Sequence, residues 1–271
     1  AFSFCSPKTD PELLSQPNNT LGIEYLKAIK KQNSPVTPVT IKRMGSGYHE
    51  AVISSDQPMA SATAIRAVLE NRTVDDFKES NLLLASQIPP EAALNLARTR
   101  LPLTADDFSA LLSFRFLELD RQRTPLETFL DVSPELAKRI SRQILDFSPI
   151  SSRTQNLKTR QYTYTRISRS LFHILLDMTE ADAVRRKTNG YVSYVRILGF
   201  RRESAPLLGA IKKASALPLI TKTADASKML SEHAFSDFQK DLYCSHLYQA
   251  VYQAKTGQAL PNEYTHSVII R

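Results

Sequence analysis

The chain has 271 residues, enough for one large domain or two ordinary ones, and its 42% hydrophobic residues and only seven glycines favour a helix-rich protein over a β-rich one. Its two cysteines, Cys5 and Cys244, are too few and too far apart to indicate a disulfide framework or a zinc site. No apolar run is long enough to cross a membrane and no signal peptide is recognisable, so we expect a cytoplasmic protein.

The formal charge of +8 is unevenly distributed along the chain. Residues 138–202 hold fourteen Lys or Arg against four Asp or Glu, a net charge of +10, whereas residues 1–100 are nearly balanced. Such a window is either an ordinary solvated surface or a binding site for a polyanion, and RNA or DNA is the usual polyanion.

The first 75 residues combine helices with one strand-like segment. After the turn Pro17-Asn18-Asn19-Thr20, apolar residues at helical spacing predict an amphipathic helix over 20–32. A β-branched run around Val39 and Ile41, ended by glycines, predicts a strand. Ser61 is a suitable N-cap for the next helix. This order of helix, strand and helix predicts an α/β domain.

From residue 76 onward the pattern is mostly helical. The acidic pair Asp106-Asp107 lies in the first turn of a predicted helix, where the helix dipole favours negative charge, so we interpret it as a cap rather than as an acid–base pair. A strand, a helix and a strand over 191–221 predict a small βαβ element, and the last long helix is expected to end at Gly257. Other helices are predicted over 89–100, 104–119, 124–130 and 133–145.

The helix predicted over 165–178 carries an apolar stripe on one side and a basic stripe on the other. The segment before it is also basic, with tyrosines at 162 and 164 between the cations. Basic groups bind phosphates and aromatic rings can stack on unpaired bases, although tyrosines are more often packed in a core. We therefore predict an RNA-binding surface formed by Arg153, Lys158, Arg160, Arg166, Arg169 and His173.

The stretch SATAIR, from Ser61 to Arg66, has the chemistry of a phosphate site. The backbone amides and dipole of a helix N-terminus favour an anion, Ser61 and Thr63 add hydroxyl donors, and Arg66 adds positive charge. On its own the motif is weak, because most serine-capped helices bind no ligand.

Several motifs taken together are more specific. PNNTLGIEYLKAI, VTIKRMGSGYH and SATAIR, followed in order by TRISRSLFHILLDMT, YVRILGF and LPLIT, resemble the bacterial tRNA(Met) cytidine acetate ligases of the HIGH-type nucleotidyltransferase superfamily. The resemblance covers nearly the whole chain. It implies that residues 1–75 are an α/β remnant, the C-terminal part of an ATP-binding nucleotidyltransferase domain. Residues 76–271 would then form a mostly α-helical, basic tRNA-binding domain with a small βαβ element.

The resemblance also implies a reaction. ATP, with Mg²⁺ on its phosphates, and acetate would give acetyl-adenylate, and the acetyl group would pass to the wobble cytidine of elongator tRNA(Met) to form N4-acetylcytidine. This chemistry requires no covalent enzyme nucleophile, and we assign no catalytic residue and no protein-bound metal. The implied ATP-binding residues are Asn18, Asn19, Arg43, Ser61, Thr63 and Arg66.

One family feature has no counterpart in the sequence, namely the histidine-containing motif that grips the ATP phosphates. The five histidines are isolated from any such context, so we expect that the segment carrying the motif is missing and that the chain alone is inactive. Two alternative functions stay open: a non-catalytic RNA-binding module, and a small-molecule adenylyltransferase, which has motifs like SATAIR but needs no long basic helical domain. Adding the missing N-terminal segment and testing for acetylation of tRNA that depends on ATP and acetate would separate the three.

Overall fold

The computed structural model describes residues 17–41, 53, 59–70, 77–98 and 101–271. The N-terminal helices are α1 (Pro17–Lys31), α2 (Ala62–Glu70), α3 (Phe77–Ala85) and α4 (Pro90–Arg98). The central helices are α5 (Ser109–Gln122), α6 (Pro134–Ser141), α7 (Ile150–Leu157), α8 (Tyr164–Leu175) and α9 (Glu180–Thr188). The C-terminal elements are β1 (Val195–Arg196), β2 (Gly199–Phe200), α10 (Ala205–Ala214), β3 (Leu219–Ile220), α11 (Ala226–Met229), α12 (Glu232–Thr256) and β4 (Ile269–Ile270).

Helix α1 begins three residues earlier than its sequence pattern predicts. Pro17 is its first residue, a position that suits proline because the missing N–H would have no partner there. Asn18 and Asn19 therefore lie inside the first turn rather than before it. The apolar stripe of α1 is largely at the surface, with Leu21 53% and Tyr25 63% exposed, so it contributes little burial to the described fold.

The strand predicted through Val39 and Ile41 is wrong over the described residues. Residues 34–41 form neither helix nor strand, and the two side chains are 84% and 93% exposed. The rest of this run, up to the glycines that end it, lies outside the described residues. An extended segment becomes a strand only when another strand satisfies its N–H and C=O groups, so β-branched composition alone does not form one.

The main hydrophobic core lies among α5, α6, α7 and α8. The predicted apolar stripe of α8 is confirmed, since Ile167, Leu171 and Ile174 are fully buried. Phe116 of α5 and Ile140 of α6 are buried in the same cluster. The basic residues of α8 therefore lie on the side opposite to this buried stripe.

Local signals place several of the helix ends. The hydroxyl of Ser133 accepts a hydrogen bond from the Leu136 amide at 3.3 Å and so caps α6. Gly257 ends α12 with φ of 71°, which a residue without a Cβ adopts without strain. The carboxylate of Asp106 accepts from the amide of Ser151 at 2.7 Å and thus serves the start of α7. Asp107 accepts from the Thr104 amide at 2.6 Å and caps the helix start at which the pair lies, so the interpretation of the pair as structural is confirmed, although Asp106 serves α7.

The helix predicted over 124–130 is instead a single 3₁₀ turn, Leu126–Thr128. The chain leaves the helical conformation there because Phe129 forms an antiparallel bridge with Thr179 and the Leu130 amide donates to the Met178 carbonyl at 2.9 Å. These long-range bonds tie the segment to the end of α8.

The predicted βαβ element is confirmed. Strands β1 and β3 are parallel, with Val195 opposite Leu219, and α10 lies between them in the chain. A second parallel pair, β2 and β4, was not predicted. In that pair a Cβ on Gly199 would lie 2.9 Å from the carbonyl oxygen of Ile269, so the close approach requires glycine.

The predicted division at residue 75 stays a prediction. Helix α2 packs against α3, and these two helices lie on opposite sides of the predicted boundary. None of the described helices combines the length and the apolarity needed to cross a lipid bilayer.

Candidate functional site

The start of α2 presents two of its three candidate phosphate ligands to solvent. Ser61 is 1% exposed, and its hydroxyl accepts a hydrogen bond from the Ala64 amide at 3.0 Å, which makes it the helix cap. Thr63 and Arg66 are exposed, and their spacing of three residues places them on the same side of the helix. An anion at this end would meet a hydroxyl and a guanidinium together.

The remaining candidates for nucleotide contact belong to other segments. Asn18 and Asn19 are exposed in the first turn of α1. Arg43 lies outside the described residues. The asparagines at the start of α1 and Arg66 at the start of α2 carry hydrogen-bond donors. The phosphates of a nucleotide accept hydrogen bonds, so these side chains are suited to a nucleotide.

Arg153 does not belong to the basic surface, and its prediction as an RNA-binding residue is wrong. It is 1% exposed, and its guanidinium donates to the carbonyl of Gln143 at 2.5 Å and to the carbonyl of Asp146. The guanidinium also lies over the Phe116 ring, 5.2 Å from its centroid. A cation that is fully buried and already bonded to two backbone carbonyls cannot reach an RNA phosphate.

Lys158 and Arg160 are exposed on the segment that joins α7 to α8. That segment is held to α6, because Arg139 donates to the Leu157 carbonyl at 2.9 Å. Neither Lys158 nor Arg160 forms an ion pair with a described residue, so both charges face solvent and can meet a phosphate.

Arg166 and the tyrosines have different roles. Tyr162 is 2% exposed and its hydroxyl lies 2.6 Å from the Ser133 hydroxyl, so it packs in the core and is not available to a base. Arg166 is half-buried, with its guanidinium 5.0 Å from the centroid of the Tyr162 ring. Tyr164 is 39% exposed.

Arg169 and His173 both approach Asp131. The Arg169 Nε lies 2.8 Å from the Asp131 carboxylate, and that arginine side chain is 59% exposed. His173 Nδ1 lies 3.0 Å from the Leu130 carbonyl and 3.5 Å from the same carboxylate, with 13% of the side chain exposed. An exposed ion pair is weak, so Arg169 can exchange its partner for a phosphate, whereas His173 is held inward.

Ion pairs reduce the positive charge of residues 138–202 that is available to a ligand. Arg185 and Arg186 both contact the carboxylate of Asp237, and Arg196 contacts Glu263. The exposed cations of this window that form no ion pair with a described residue are Lys138, Arg142, Lys158, Arg160, Lys187 and Arg202.

Sequence reasoning missed Lys138 and Arg142 as candidates. Lys138 lies in the last turn of α6 and Arg142 is the residue directly after the helix, and their spacing of four residues places them on one side of it. In the sequence, only the excess positive charge of residues 138–202 points to these two residues. Their exposure could not be predicted, because it depends on which side of α6 packs in the core.

Among the residues that the structure describes, no three His, Cys, Asp or Glu side chains are grouped as metal ligands would be.

A family model described as HIGH nucleotidyl transferase matches residues 2–263. This chain belongs to the HIGH nucleotidyl transferase family. Curated relatives named tRNA(Met) cytidine acetate ligase include those of Acetivibrio thermocellus and a Thermoanaerobacter species, each 30% identical, over 96% and 95% of this chain. The resemblance that the motifs indicate is thereby confirmed. The chain spans about three fifths of these relatives, 62% and 60% of their length.

Two crystal structures of Thermotoga maritima TmcAL have the same fold. The apo form aligns with a TM-score of 0.78 and the form bound with alpha-thio ATP with a TM-score of 0.77. Each is 22% identical to this chain and matches 95% of it, while the chain covers 61% and 60% of those structures. At 22% identity, the likeness to these structures shows the fold alone.

Proposed function

We propose that the protein is an ATP-dependent acetate ligase that acts on tRNA(Met), forming N4-acetylcytidine at the wobble position of the elongator tRNA through acetyl-adenylate. The observation that carries the proposal is the 30% identity, over 96% of the chain, to a relative named tRNA(Met) cytidine acetate ligase. The exposed cations around α6 and α8 support the RNA part of the proposal, and the start of α2 supports the nucleotide part.

On the nucleotide side, Thr63 and Arg66 would contact the phosphates of ATP, and Asn18 and Asn19 would contact the nucleotide through their amides. Exposure of the α2 N-terminus suits this role, because an anion can approach the helix end without displacing a buried group. Mg²⁺ would enter with the phosphates, its usual ligands in such sites. Arg43 belongs to the same proposed set.

On the tRNA side, Lys158 and Arg160 are the preferred phosphate contacts, because they are exposed and form no ion pair with a described residue. Arg166 and Arg169 are secondary candidates. Arg166 lies over the Tyr162 ring and Arg169 pairs with Asp131, so a phosphate must compete with these contacts. The basic tRNA-binding domain would extend over 76–271, with the ATP-binding part before it.

The chain alone is expected to be inactive, so the test uses the chain joined to a segment that carries the family's histidine-containing motif. This protein is incubated with ATP, isotopically labelled acetate and tRNA(Met), and the nucleosides are then examined by mass spectrometry. Labelled N4-acetylcytidine should form only when all three are present, and only at the wobble position. Binding of tRNA without acetylation would favour an RNA-binding module. Acetate-independent adenylylation of a small acceptor, without any effect on tRNA, would favour a small-molecule adenylyltransferase.

A further inference from the structure

The loop that joins α6 to α7, residues 142–149, exposes two large apolar side chains. Leu145 is 66% exposed and Phe147 is 63% exposed, although the helices on both sides of the loop contribute to the main core. Large apolar groups that are presented together at a surface commonly mark an interaction site.

The loop is held in place from beneath by the buried Arg153. The guanidinium bonds of Arg153 to the carbonyls of Gln143 and Asp146 fix the backbone on either side of Leu145. The exposed phenylalanine is therefore carried on a backbone that is tied to α7. A group held in this way loses less conformational entropy when a ligand binds.

Positive charge borders the same loop. Lys138 and Arg142 are exposed on one side of α6, and Arg142 is the first residue of the loop. The bond from Arg139 to the Leu157 carbonyl brings this end of α6 to the segment that carries Lys158 and Arg160. An exposed aromatic ring on a loop that begins with an exposed arginine is complementary to a base that is attached to a phosphate backbone.

We propose that the loop 142–149 is a base-stacking platform, on which Phe147 stacks against an unpaired base of the bound RNA while Lys138 and Arg142 contact the phosphates beside it. This inference rests on the proposed function and specifies which part of the RNA meets this surface. A paired base presents its faces to its neighbours in the helix, so the platform requires a single-stranded loop or a base turned out of a helix. Phenylalanine has no hydrogen-bonding group on its ring, so the contact selects unpaired structure rather than one base.

The experiment compares two RNAs, a tRNA anticodon stem-loop and a fully paired duplex of equal length, by fluorescence anisotropy. Phe147→Ala should weaken binding of the stem-loop about tenfold, within the range of a single base–aromatic stack, and leave the duplex unaffected. Phe147→Trp should bind the stem-loop at least as well as the unmodified protein. Phe114→Ala is the matched control, because Phe114 of α5 is also a phenylalanine and is 61% exposed.

Three results would overturn the platform while leaving the proposed function intact. The first is stem-loop binding by Phe147→Ala that equals that of the unmodified protein. The second is an equal loss of affinity of Phe147→Ala for the stem-loop and the duplex, which would mean that the ring supports the fold or the sequence-independent contact with phosphates. The third is a change in sedimentation of Phe147→Ala without RNA, which would mean that the loop contacts a second copy. Failure of the unmodified protein to bind either RNA would overturn the proposed function as well.

Discussion

Replacing Arg153 by methionine should destabilise the protein, because it removes the two guanidinium bonds that hold the loop between α6 and α7. Methionine retains much of the contact with Phe116 but leaves the carbonyls of Gln143 and Asp146 without their donor. A hydrogen bond to a charged group is worth about 1.5–3 kcal/mol, and part of that gain is offset because methionine is easier to bury. We expect the free energy of unfolding to fall by about 3 kcal/mol, and Tm to fall by about 6–12 °C for a chain of this size.

The assay is urea unfolding followed by circular dichroism, with Arg142→Met as the matched control. Arg142 is exposed, so its substitution should change stability by no more than about 0.5 kcal/mol. Arg153→Lys should recover only part of the loss, since an ammonium group does not reproduce the fork that reaches two carbonyls. If Arg153→Met unfolds like the unmodified protein but lowers the salt slope of RNA binding by about one, Arg153 contacts a phosphate and does not hold the loop.

Further predictions concern the binding surfaces and one ion-pair network. Affinity for tRNA should fall about a thousandfold between about 50 and 200 mM salt if about six cations reach phosphates, and Lys158→Ala with Arg160→Ala should reduce that dependence and weaken binding to any tRNA. In the chain joined to the segment with the histidine-containing motif, Arg66→Ala should weaken ATP binding by about 1.5–3 kcal/mol in calorimetry. Burial would raise the pKa of Asp182, but hydrogen bonds and charge, chiefly from Lys240, lower it to about 2. Asp182→Asn should therefore cost about 2 kcal/mol of stability above pH 4, a difference that disappears as the pH falls to about 2 in unfolding measurements.

Each of these changes has a control of similar chemistry. Lys212→Ala with Lys213→Ala removes two exposed charges from α10, outside the proposed RNA surface, and should leave tRNA affinity nearly unchanged. Lys31→Ala, at the other end of α1 from the asparagines, should leave ATP affinity unchanged. Asp225→Asn removes an exposed carboxylate and should change stability by no more than about 0.5 kcal/mol. Equal effects in test and control variants would contradict the corresponding assignment.

Features that depend on neighbours within a few positions could be predicted from the sequence alone. The Ser133 cap, the end of α12 at Gly257 and the buried stripe of α8 each follow from residues within about one or two helical turns. The family was also recognisable, because its motifs are short stretches in a fixed order. The SATAIR helix start is local in the same sense, and the structure has it as a capped helix with Arg66 exposed.

The tertiary structure decided which of these local patterns find long-range partners. In the sequence Arg153 and Lys158 are equivalent cations, but only the packing of α7 against the preceding loop brings two carbonyls to Arg153 and leaves Lys158 in solvent. The segment around Val39 has the composition of a strand but does not form one. Strands β2 and β4, in contrast, pair although about seventy residues separate them in the chain and no local pattern indicates the pairing. Burial and hydrogen-bond satisfaction are properties of groups brought together from distant positions, and for this reason the chain's periodicity alone does not contain them.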